Sequence, residues 1–179
     1  MGLITLLRHA PLPKEYQKRY IGHSDIDIDI SLIDQSKLNI LNKEDYDLIY
    51  SSDLKRCTQT LDLFNLTYTT NKNLREVKFK EEIEKKSFEQ IEQLNSYDKK
   101  YLDNIYTWYN YICEESFDEF KSRINSFLNT LPKDKNILIC SHKGTIRMIY
   151  SILKKEEFST INLKVNYLEE IFIDKYFEK

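Results

Sequence analysis

Three short apolar runs, each stopping abruptly at polar residues, constrain this chain more than any other feature. Residues 3–7 stop at Arg8-His9-Ala10-Pro11, residues 46–50 at Ser51-Ser52, and residues 136–140 at Ser141-His142. Runs that are apolar throughout, rather than alternating, suit strands buried on both faces, as in a parallel sheet between helices. Pro11 and Pro13 forbid continuation, so the first strand ends at or beside His9. A helical pattern follows each run. Over 54–64, Leu54, Cys57, Leu61 and Phe64 share one side, with Asp53 as the expected N-cap. After Lys143-Gly144, residues 146–153 place Ile146, Ile149, Tyr150 and Leu153 inward. Further helices are expected over 31–41, 87–94, 99–112 and 116–131, the last stopped before Pro132, with a final strand over 168–173. The charge run 76–86 reads as a solvated surface segment. These patterns give an α/β fold: a three-layer sandwich with a mostly parallel central sheet and helices on both faces, forming one domain over 1–179.

In such sheets ligands bind beyond the carboxyl ends of the strands. That rule puts His9, the Ser51-Ser52-Asp53 turn and His142 on one edge, which takes two of the three histidines in the chain; His23 falls on a loop, with its role open. Composition sharpens the point. The chain has 21 lysines but six arginines, so lysine is its default cation and an arginine marks a place where a planar, bidentate donor is wanted. A net charge of −2 gives no general attraction to nucleic acid or membrane, so any anion site is local. No apolar stretch approaches the roughly 20 residues needed to span a bilayer. No basic region precedes an apolar core, and Leu6 stands where a myristoylation signal has Ser or Thr, so a cytoplasmic protein is expected. Cys57, Cys113 and Cys140 lack metal-ligand spacing and read as small buried side chains. The aromatic stretch from Tyr97 to Tyr111 reads as helix packing.

Leu7-Arg8-His9-Ala10 resembles the Arg-His-Gly signature of the histidine phosphatase superfamily, with alanine in place of glycine. The resemblance recurs in family order. Residues 51–60, Ser-Ser-Asp-Leu-Lys-Arg-Cys-Thr-Gln-Thr, are similar to the family's Ser-Asp-Leu-x-Arg-Ala-x-Gln-Thr segment. Leu74-Arg75-Glu76 resembles the segment carrying its acid. Residues 141–147, Ser-His-Lys-Gly-Thr-Ile-Arg, are similar to Ser-His-Gly-Gly-x-Ile-Arg. Any one of these charged residues alone is more simply a solvated one; four segments in order, at strand ends, are far more specific.

The resemblance implies a metal-independent phosphomonoesterase with no cofactor, acting on a small phosphate ester. His9 would be the nucleophile and His142 the second pocket histidine, with Arg8, Arg56 and Glu76 completing the catalytic set. The chemistry has its own logic: a phosphate dianion leaving water needs several converging donors, which Arg8, Arg56 and a protonated His142 can supply. An alkoxide is a poor leaving group, so Glu76 would serve as a proton donor, favoured by burial or negative neighbours. Arg19, Gly22 and Thr145 join Arg8, Arg56 and His142 as expected substrate contacts. Arg147 reads as a helix residue in a structural salt bridge.

Three departures bear on the substrate. Glu15 stands near a position where the family often has asparagine, and would repel phosphate unless Arg19 compensates. Residues 20–25 resemble the Gly-x-x-Asp stretch of α-ribazole phosphatases and mutases. Residues 79–82 replace a Phe-Gly-x-Trp segment. The chain lacks room for the mutase insertions, which points to a hydrolase of the α-ribazole phosphatase branch. A phospholigand-binding module with little turnover and a protein phosphohistidine phosphatase are the competing readings.

Overall fold

A computed structural model describes residues 2–174, apart from 35, 38–40 and 42–44. Strands β1 (Leu3–Arg8), β2 (Leu48–Ser51), β3 (Thr69–Thr70), β4 (Ile137–Ser141) and β5 (Glu170–Asp174) form one sheet in the order β3-β2-β4-β1-β5. Every pairing is parallel except β1 with β5. Side-chain alternation sends the strands' apolar residues to opposite faces. Ile4, Leu6, Ile137 and Ile139 join a large core that includes residues of α3 (Ile105–Ile112), α4 (Phe117–Leu128) and α5 (Lys143–Lys154). Leu7, Leu138 and Cys140 pack instead with Cys57 and Leu61 of α1 (Lys55–Asp62). Helices thus cover both faces, which is why the strands carry no polar stripe.

The register aligns the functional edge. Arg8 pairs with Ser141, and Cys140 lies between Leu7 and Ser51. The next residue on each strand therefore emerges at the same level: His9 N–H donates to Ser141 O (3.1 Å) and Ser52 N–H to Cys140 O (3.0 Å).

Several expected elements differ. Asp53 does not cap α1: both its oxygens are taken by the Arg75 guanidinium at 2.7 Å. Asp25 instead accepts from Lys55 N–H (2.7 Å). The helix expected over 99–112 is broken, because Asn104 and Thr107 form a capping box that starts α3 afresh. Helix α2 is a single turn, Phe88–Ile91, and α4 ends at Leu128 rather than 131. Of the helix expected over 31–41, Ile30–Leu32 forms a short 3-10 turn; residues 35 and 38–40 lie outside the described set. The 76–86 charge run is not simply surface, since Val77, Phe79 and Ile83 are buried and Phe79 bridges to Cys113. Its charges alternate with an inward apolar stripe. The Tyr97–Tyr111 aromatics do pack together, with Tyr101 stacked on Tyr111 at 4.3 Å.

Candidate active site

Beyond the strand ends lies a cavity of about 580 Å³, lined by Arg8, His9, Arg56, Glu76 and His142 among others. His9 leaves β1 into Ala10-Pro11 and is buried. Its Nδ1 lies 2.8 Å from Ala10 O. A carbonyl only accepts, so Nδ1 carries the hydrogen and Nε2 of the neutral ring carries the lone pair. Burial first, then Arg56 and Arg8, hold its pKa well below the usual 6.5. The shift favours the neutral ring, with its lone pair on Nε2.

Arg8 donates from Nη1 to Val165 O (2.7 Å) and lies 3.9 Å over the Tyr167 ring. Its Nε is buried without a partner, as is that of Arg147; each such orphan costs about 1–3 kcal/mol until an acceptor arrives. Arg56, on the first turn of α1, is almost wholly buried at 1% exposure. It donates to Gly22 O (2.7 Å), Ser24 O (2.8 Å) and His142 Nδ1 (3.0 Å). Gly22 has φ of +54°, a left-handed conformation that turns its carbonyl toward Arg56, and a Cβ there would meet Phe79 at 2.9 Å.

His142 differs from the expected protonated donor. Nδ1 accepts from Arg56, so Nε2–H donates to Ser52 Oγ (2.9 Å), and both nitrogens have protein partners. Burial, followed by Arg56, His9 and Arg8, keeps its pKa well below 6.5. Its ring stands 5.3 Å from that of His9.

Glu76 sits across the cavity on the segment after Leu74. Its oxygens accept from Val77 N–H and Gly144 N–H, both at 3.0 Å, the latter at the start of α5. Those partners are donors, not the negative neighbours anticipated. Its backbone is held too: the carbonyl accepts from His23 Nε2 (2.8 Å) and Arg123 Nη2 (3.0 Å).

The other expected contacts divide. Arg19 and Gly22 line the cavity, but the Arg19 guanidinium is tied to the carbonyls of Glu15 and Lys85 and to Gln90. Thr145 does not reach the cavity; it is fully buried and donates to Arg75 O (2.7 Å), behind Glu76. Arg147 does line the cavity, with no salt bridge among the described residues, and donates to Ile161 O (2.8 Å). Glu15 is exposed outside the lining, so the feared repulsion does not arise. Sequence reasoning missed Tyr167, Lys143 and Arg123. Lys143 was findable, being a cation directly after a strand-end histidine; the other two carry no local signal. Among the described residues no cluster of three or more His, Cys, Asp or Glu side chains could hold a metal ion.

A family model for the histidine phosphatase superfamily, branch 1, matches residues 4–169. The chain belongs to that superfamily. Solved structures agree on the fold. The α-ribazole phosphatase of Shigella flexneri superimposes with a TM-score of 0.79 at 22% identity, covering 96% of this chain and 90% of that one. The phosphoserine phosphatase of Entamoeba histolytica, in complex with 3-phosphoglyceric acid, gives 0.77 at 21% identity, with coverage of 96% and 90%. No curated protein matches the chain in sequence.

Proposed function

We propose that this histidine phosphatase is a metal-independent phosphomonoesterase working through a phosphohistidine on His9. The observation that carries the reading is the Nδ1–H bond from His9 to Ala10 O, which leaves the Nε2 lone pair free on a cavity lined by two arginines. Arg8 and Arg56 offset the two charges of the phosphate, and Arg8 Nε gains the acceptor it lacks. Nε2 then attacks phosphorus as the P–O ester bond breaks, and the alkoxide takes the Glu76 proton. As the ring becomes positive, the Nδ1–H bond to Ala10 O strengthens. Water next attacks phosphorus, Glu76 takes its proton, and the P–N bond breaks to release phosphate and neutral His9. His142 holds the Arg56 fork in place through Nδ1.

Small phosphate esters are the substrates, with α-ribazole 5′-phosphate a candidate by likeness to the Shigella enzyme. A panel of monoesters with EDTA present tests the class. Phosphate release should survive EDTA, and an acid-labile phosphoryl label should appear on the wild type but not on His9→Ala. Undiminished turnover by His9→Ala would refute the reading. For Glu76→Gln, the loss should be about 10²–10⁴-fold on alkyl esters and much smaller on aryl ones, whose leaving groups need no proton.

A further inference from the structure

Four cations that line the cavity have no task in that chemistry, Lys18, Arg19, Lys143 and Arg147, and the last two share one helix. Lys143 stands where the resembled motif has its first glycine, on the opening turn of α5, and Arg147 follows one turn later on the same face. Both line the cavity. Lys143 is exposed and Arg147 half-buried, and like charges four residues apart on a helix repel. The Lys143 ammonium has its pKa lowered chiefly by burial, then by Arg8 and Arg147, with Glu76 the smallest influence. It makes no hydrogen bond or salt bridge within the described residues. Arg147 spends its fork on one carbonyl, Ile161 O, and its Nε is buried with no acceptor. Glu76 is the one acidic residue among those lining the cavity, and backbone N–H groups occupy both its oxygens.

Charge counting then decides the matter. A phosphate dianion is balanced by Arg8 and Arg56, with His9 and His142 neutral, which leaves one carboxyl, Glu76, against Lys18, Arg19, Lys143 and Arg147. We infer that Lys143 and Arg147 form a second anion site, and that the physiological ester carries a carboxylate or second phosphate on its leaving group. This inference rests on the phosphatase reading and narrows it: such esters rank above α-ribazole 5′-phosphate, whose leaving group is uncharged. Arg147 supplies a fork with an empty Nε, and Lys143 a mobile point charge beside it.

Non-hydrolysable ligands test the site without turnover. Propylphosphonate, 3-phosphonopropionate and propane-1,3-bisphosphonate share a three-carbon skeleton and differ in the second group. By titration calorimetry on the wild-type protein, the two doubly functional ligands should bind about 10- to 100-fold tighter than propylphosphonate. Whichever binds tighter assigns the second group as carboxylate or phosphate. Lys143→Gln and Arg147→Gln should each remove about tenfold of that advantage and change propylphosphonate binding by less than about threefold. Equal affinity for all three ligands would overturn the inference. So would variants that weaken all three alike, since both cations would then belong to the phosphate site itself. The phosphatase reading fails separately, by the absence of phosphate release from every monoester.

Discussion

At Gly144, conformational freedom is not the reason for glycine: its φ lies outside the left-handed region, and it sits in the first turn of α5. Space is the reason, because a Cβ would lie 2.5 Å from Glu76 Oε1 and 3.2 Å from its Cδ. Alanine favours a helix over glycine by up to about 1 kcal/mol, but losing the two backbone bonds to Glu76 costs at least as much, so Gly144→Ala should lower the melting temperature by a few degrees. The same methyl pushes the Glu76 carboxylate from its backbone donors and from the leaving oxygen. Turnover of alkyl phosphates should fall about 10- to 100-fold with aryl phosphates nearly spared. A melting curve beside the two rates checks this; a stable variant with both rates intact would show that Glu76 tolerates displacement. The same logic explains what was legible in the sequence. His9 and His142 stand within two residues of the ends of apolar runs, so local pattern places them, whereas Arg56 was legible through the motif it belongs to. Thr145 was misjudged because proximity in sequence to His142 says nothing about which side of α5 it faces.

At the scale of elements, the Glu76 segment is held by a helix far from it in sequence. Arg123 of α4 donates to Asn73 O (2.7 Å), Arg75 O (2.9 Å) and Glu76 O (3.0 Å). Glu115 fixes that guanidinium through two bonds of 2.8 and 2.7 Å. From the other side, Arg75 anchors the same segment to Asp53, just after β2. The segment has no regular structure beyond a 3-10 turn at Lys72–Leu74, so these forks take the place of a sheet or helix ladder. Nothing in the sequence near Arg123 announces this, since the pairing spans 47 residues between irregular backbone and a half-exposed helix face. Apolar periodicity reports what is buried on an element, not which carbonyls a long side chain reaches. Arg123→Lys keeps the charge but loses the fork, stranding part-buried carbonyls. We expect a stability loss of about 2–3 kcal/mol by urea denaturation. On alkyl esters kcat should fall with KM little changed, because the phosphate-holding arginines are untouched; a pure stability loss with kcat preserved would reduce Arg123 to a structural brace.

The whole molecule carries a net charge of −2, yet its six arginines all serve one region. Arg8, Arg19, Arg56 and Arg147 line the cavity, and Arg75 and Arg123 hold the Glu76 segment. The scarcity of arginine in the sequence was thus informative about place, although it could not say which arginines touch the ligand. Gathering buried cations costs stability, and the histidines report it. His9, His142 and His23 all have pKa values below the usual 6.5, each chiefly through burial. The unfolded chain therefore takes up protons first as pH falls. Stability from these groups is complete above about pH 6.5 and drains below it, until the folded values are reached. Each histidine adds to the slope by on the order of 1 kcal/mol per pH unit at most. Asp53 works in a separate window: the Arg75 bond lowers its pKa, so its contribution persists down to about its usual 3.8 and is lost below. Glu170, raised by burial from 4.5, acts in the opposite sense near that value. Urea denaturation between pH 7.5 and 5 isolates the histidines. The wild-type slope should steepen below pH 6.5, and His9→Ala should flatten it by about a third to a half. An unchanged slope in that variant would mean that His9 titrates in the folded protein as it does in the unfolded chain, so that burial beside two arginines does not hold the ring neutral below pH 6.5.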